Sequence, residues 1–189
     1  MLKRIIALIA FALVGTLALA GCATDLSSTK KLNGEAAQTA LTKVVAASSL
    51  EFKKAGGTEQ VTIGQKQYGL VYDPAAATDK QAVVFDLSSD GPSQFVKADN
   101  IFLLSLDKLI SSELFKGATY TYLNSGFTVT SAEAILTVQI LDNRVNGTLL
   151  KSTAANGPTQ ATINNYGVNE IAREKLTTAT PAPSAAATN

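Results

Sequence analysis

The chain has 189 residues, with 16 basic and 15 acidic side chains, a single Cys and no His. The missing imidazole removes every mechanism built on a histidine base or ligand. The near-balanced charge excludes a strongly basic nucleic-acid binder, because phosphate recognition needs clustered Lys and Arg.

The first 22 residues read as an export segment. Met1-Leu2-Lys3-Arg4 is a short positive start, followed by a mostly apolar run from Ile5 to Ala20. That run is shorter than the ~20 apolar residues of a spanning helix and suits a secretory signal. Leu19-Ala20-Gly21-Cys22 follows. These four residues resemble the lipobox of bacterial lipoproteins. The resemblance covers residues 1–22 and implies signal cleavage between Gly21 and Cys22, a diacylglyceryl group on the Cys22 sulfur and a fatty acid such as palmitate on its amino group. Ala23 after the Cys implies an outer-membrane anchor facing the periplasm. A single acyl chain holds marginally, at about 0.8 kcal/mol per buried methylene, so two or three chains on one Cys anchor stably. The mature chain then has no thiol for a disulfide. It is also near neutral, because Lys3 and Arg4 leave with the signal.

The remainder divides into a polar tether (22–33), a globular domain (34–176) and a Thr/Ala/Pro tail (177–189) expected to be disordered. Within the domain, Ala37, Leu41, Val44, Val45, Ser48 and Phe52 predict a helix over Glu35–Lys54, stopped by Gly56-Gly57. Val61 and Ile63 alternate before Gly64-Gln65, which predicts a hairpin with Val61 opposite Tyr68. Leu70 and Tyr72 continue that face, and Asp73-Pro74 ends the strand. A loop over 74–80, a strand over Ala82–Leu87 and a turn over 88–92 follow. The 3–4 periodicity of Phe102, Leu103, Leu106, Leu109, Ile110 and Leu114 predicts a second helix over Asn100–Lys116. Tyr120 and Tyr122 alternate with Thr in a strand that turns at Asn124-Ser125-Gly126 into Phe127–Thr130. Leu136, Val138 and Ile140 alternate in a strand expected to turn at Asn146-Gly147, setting Asp142 opposite Lys151. Residues 154–166 read as loop with a short strand at Ala161–Ile163, and a last helix spans Val168–Leu176. The expected class is α+β: one small domain, a mostly antiparallel sheet with two main helices on one face.

The chemistry is sparse. Ser-His-Asp and Cys-His nucleophiles are excluded by composition, as is structural zinc on Cys and His. Ser105 and Lys108 have the Ser-x-x-Lys spacing, but no Lys-Thr-Gly accompanies it. Asp86 and Asp90 flank a turn, and no calcium-loop pattern occurs. No catalytic residue, cofactor or metal is expected. Tyr68, Tyr72, Tyr120 and Tyr122 form a candidate interaction face, since Tyr combines contact area with a polar tip. The function expected is a lipid-anchored, non-catalytic accessory or assembly factor that binds a protein partner in the envelope. The alternatives are a carrier for a lipid or other apolar ligand and a small hydrolase with paired carboxylates.

Overall fold

The computed structural model describes Leu26, residues 31–89 and residues 91–182. Ten strands make one antiparallel sheet: β1 (Lys31–Asn33), β2 (Gly57–Ile63), β3 (Lys66–Tyr72), β4 (Ala82–Asp86), β5 (Gln94–Val96), β6 (Thr119–Leu123), β7 (Gly126–Thr130), β8 (Ala134–Leu141), β9 (Arg144–Ser152) and β10 (Thr159–Tyr166). The helices are α1 (Gly34–Ala55), α2 (Phe102–Ile110) and α3 (Glu170–Thr177). The strand order is β1-β6-β7-β8-β9-β10-β2-β3-β4-β5. Two meanders, β2–β5 and β6–β10, therefore lie side by side and join where β10 pairs with β2. The short strand β1 edges the second meander through β6.

Helix α1 forms where the apolar stripe predicts it. Ala37, Leu41, Val44, Val45, Ser48 and Phe52 are all buried. Gly56 ends the helix at a positive φ of 72°, a conformation that disfavours a side chain, and its amide donates to the Phe52 carbonyl. The stripe packs on β6 and β9 and on α2. Beneath it lie Tyr122, Phe127, Val129, Leu136 and Val138, which share one sheet face by alternation and are buried. The two main helices thus cover one face, as expected. Helix α3 packs instead on β3 and β4. There Val71, Val83 and Ala172 are buried on the opposite sheet face, outside the main core. Phe85 on that face lies over Gly69, where a Cβ would stand 2.2 Å from its ring.

Several expectations change. The β8–β9 turn is Asp142-Asn143, both at positive φ, and Asn146 and Gly147 lie inside β9. Lys151 consequently faces Ile135, not Asp142. The physical reason is the placement of Val145. A turn at 146–147 would put Val145 on the face away from Leu136 and Ile140. The earlier turn sets it opposite Ile140, buried, and Asn146 is absorbed as a one-residue bulge. The Ser48 hydroxyl of α1 accepts the Val145 amide at 3.0 Å. The Ala161–Ile163 strand is longer than expected and occupies the middle of the sheet, where ladders on both sides outweigh its polar composition. Helix α2 is shorter than expected, with single 3-10 turns at Ala98–Asn100 and Glu113–Phe115. The Ser112 hydroxyl bonds the Leu109 carbonyl at 2.6 Å and helps to end it. Lys31–Asn33, expected in the tether, pair with β6, and Gln94–Val96, outside every expected element, form β5 against β4. In the expected tail, Thr177 ends α3 and Thr180 bridges Gln94 at the β5 edge.

Candidate functional site

The helix-bearing face is not wholly covered. Past α2, toward β10, β2, β3 and β4, its apolar residues line an open trough in two parts. The larger part, about 580 Å³, is floored by Ala134, Leu150 and Ile63, and walled by Leu114 and Pro158. The smaller, about 300 Å³, is lined by Val61, Tyr68, Leu70, Val84, Val96 and Phe102. Ile63 and Gln160, directly opposed across the β10–β2 ladder, line both parts. Ile63 remains 46% exposed although it shares the core-facing side of β2 with buried Val61. The strands are patterned for burial beyond the area their own helices cover.

The flank of this trough is fixed by an unusual cap. Ile101 precedes α2 and offers no side-chain acceptor. The acceptor comes from the sheet: Glu59 on β2 takes the amides of Phe102 and Leu103, one on each carboxylate oxygen, at 2.7 Å. Glu59 is only 2% exposed. Burial pushes its carboxyl up to about 7, against the downward pull of the two amide bonds. The carboxylate thereby pins the start of α2 over the middle of the sheet. One sequence signal bears on it, a charged residue on the same strand face as Val61 and Ile63; the Asp99-Asn100 pair just ahead conceals that the helix start itself lacks a side-chain cap.

Next to Glu59 the interior is polar but incompletely paired. Asn164 lies opposite Glu59 on β10, and neither polar atom of its buried amide has a hydrogen-bond partner among the described residues. The Thr162 hydroxyl, opposite Val61, is likewise buried without a partner among them.

The four tyrosines do not make one interaction face. Tyr72, Tyr120 and Tyr122 are core residues. Tyr72 stacks on Phe52, and the Tyr122 hydroxyl donates to the Leu26 carbonyl at 3.2 Å. Tyr68 alone is half-buried, in the trough wall. The alternating Tyr-Thr pattern reads equally as edge or core, and core wins because α1 covers β6. Ser105 also lines the trough, but its hydroxyl turns back to the Ile101 and Phe102 carbonyls, while Lys108 bonds Asp99 at 3.1 Å. Asp86 accepts the amide and hydroxyl of Ser88, which hold its carboxyl below the usual range, as expected of turn chemistry. Gly21, Cys22 and Asp90 lie outside the described residues. Among the described residues no helix is long and apolar enough to cross a membrane, and no group of three His, Cys, Asp or Glu could hold a metal ion. No protein-family model matches the chain, and no curated protein matches it.

Proposed function

We propose that the chain is a lipid-anchored envelope protein whose domain binds a protein partner, without catalysis, through the trough beside α2. The anchor part of this reading rests on the lipobox at Leu19–Cys22 and on the single Cys. The partner part rests on one observation: the core-facing side of β2 and its neighbours runs on past α2 as an open apolar trough, with Ile63 half exposed at its centre. A trough open along its length and floored by a sheet suits an amphipathic helix laid beside α2, which buries its apolar stripe there. Acyl anchoring adds to this by raising the local concentration of the domain toward other envelope components.

The volume of the larger part also lies within the range of small-molecule sites, which favours the carrier as a second reading. One experiment separates the two. A photo-crosslinking residue at Ile63 or Leu150 in cells should give a discrete protein adduct, lost when Leu114→Glu places a charge in the trough. An adduct with lipid mass establishes the carrier instead. Absence of any adduct at either position contradicts both.

A further inference from the structure

Leu26 shows where the chain leaves the domain toward its anchor. Leu26 is buried, its amide donates to Asn143 Oδ1 at 3.0 Å, and its carbonyl accepts the Tyr122 hydroxyl at 3.2 Å. Asn143 belongs to the β8–β9 turn, and Tyr122 is the next-to-last residue of β6. The β6–β7 turn, Asn124-Ser125, lies beside the β8–β9 turn, because the Ile140 amide donates to the Ser125 carbonyl at 2.8 Å. The chain is therefore fastened at the end of the sheet from which these two turns project.

That end carries two of the molecule's exposed leucines. Leu123, the last residue of β6, is 55% exposed, and Leu141, the last residue of β8, is 57% exposed. Their neighbours Tyr122 and Ile140 point into the core, so both leucines lie on the face without α1 and α2. Single exposed leucines are ordinary, but these two end strands at the same edge as the fastened Leu26. Lys31 stands directly opposite Leu123 across the β1–β6 ladder. Arg144 stands opposite Leu141 and is paired with Glu51.

Covalent reach completes the argument. Cys22 is four residues before Leu26, so the two Cα atoms are at most about 14 Å apart. Strand β8 alone spans about 27 Å, and the trough residues Ala134, Ser152 and Thr159 lie at its other end. We propose that the end of the sheet formed by the β6–β7 and β8–β9 turns faces the bilayer, and that Leu123 and Leu141 seat in its headgroup region, with Lys31 beside the lipid phosphates. This inference rests on acylation of Cys22. It gives the trough a place: its larger part lies toward the end of the sheet away from the membrane, where a partner in the periplasm can reach it. Aliphatic side chains at headgroup depth add to the hold of the acyl chains, as in an interfacial anchor.

The test uses the full acylated protein in phosphatidylethanolamine/phosphatidylglycerol vesicles. Acylation consumes the Cys22 sulfur, so a nitroxide can be placed cleanly at Leu123→Cys, Leu141→Cys or, at the trough end, Ala154→Cys. The expected result is loss of accessibility to a water-soluble nickel chelate, with retained accessibility to oxygen, at 123 and 141 and not at 154. Equal nickel accessibility at all three positions overturns the proposal. The acyl mass on the Cys22 peptide, measured on the same sample, tells the two readings apart. Acylated protein with water-exposed labels defeats the membrane-facing surface alone, whereas absence of the acyl mass defeats the anchor and this inference with it.

Discussion

Two halves of the same sheet face are built alike and finished differently. Over β6–β9, core-facing residues alternate and helix α1 seals them; Phe127, Val129, Leu136 and Val138 have no exposure. Over β2, β3 and β4 the helix-bearing face stays largely apolar, yet Ile63 is 46% exposed, and Tyr68 and Val84 are only half-buried. The second half keeps apolar positions on this face, and among the described residues no third helix covers it. The comparison teaches where the proposed partner would bury apolar surface, on the open half, while the sealed half serves as scaffold.

The largest expected effect lies in the sealed half. Leu136→Ala should destabilise the domain by about 2–5 kcal/mol, since the tightly surrounded site cannot collapse around the loss. Ile63→Ala, an equally apolar truncation in the open half, should cost less than about 1 kcal/mol, because much of that surface already meets water. Denaturant titrations of the two variants check the contrast, and equal costs would break it.

Next comes the boundary between the halves. Glu59→Ala leaves the Phe102 and Leu103 amides buried without acceptors and should cost roughly 2–4 kcal/mol. The pH dependence has a definite sign. The Glu59 carboxyl is raised from 4.5 to about 7 in the folded protein, so the unfolded chain releases its proton first. Stability should be highest below the unfolded value and fall as pH rises toward 7, by roughly 3 kcal/mol in total. Thermal melts from pH 4 to 8 should show that slope in the wild type and lose it in Glu59→Gln.

The smallest effect concerns the unpaired polar groups beside that boundary. Thr162→Val replaces a buried, partnerless hydroxyl with a methyl group of similar shape. The variant should be neutral or more stable by up to about 1 kcal/mol. A clear loss of stability would mean that the hydroxyl has a partner in solution.

The sealed half was largely legible in the sequence. The stripe of α1 and the strand at Tyr120–Tyr122 follow from periodicity, because one covered face forces alternation, and in the open half the Val61–Tyr68 register follows from the Gly64-Gln65 turn. The β8–β9 turn was misread because Asn146-Gly147 and Asp142-Asn143 both suit a two-residue turn. Only the three-dimensional position of Val145 decides between them. Strand β10 was underestimated because Asn164 and Asn165 read as loop residues, and its strand character comes from neighbours distant in sequence. The trough was not legible at all: alternation shows which face is apolar but not how far a helix reaches across it. The Glu59 cap was legible in part, as a charge on the wrong face of a strand.

The central claim is that the open half of the helix-bearing face is occupied in the envelope. Two exposed isoleucines on neighbouring strands test it directly: Ile63 on β2 lines the trough, and Ile163 on β10 lies on the opposite sheet face, with 46% and 53% exposure. Thiol labelling of Ile63→Cys and Ile163→Cys should proceed at similar rates in purified protein. In intact cells, Ile63→Cys should be slowed about tenfold relative to Ile163→Cys, as for a site nine-tenths occupied. Equal labelling of both positions in cells would contradict the account.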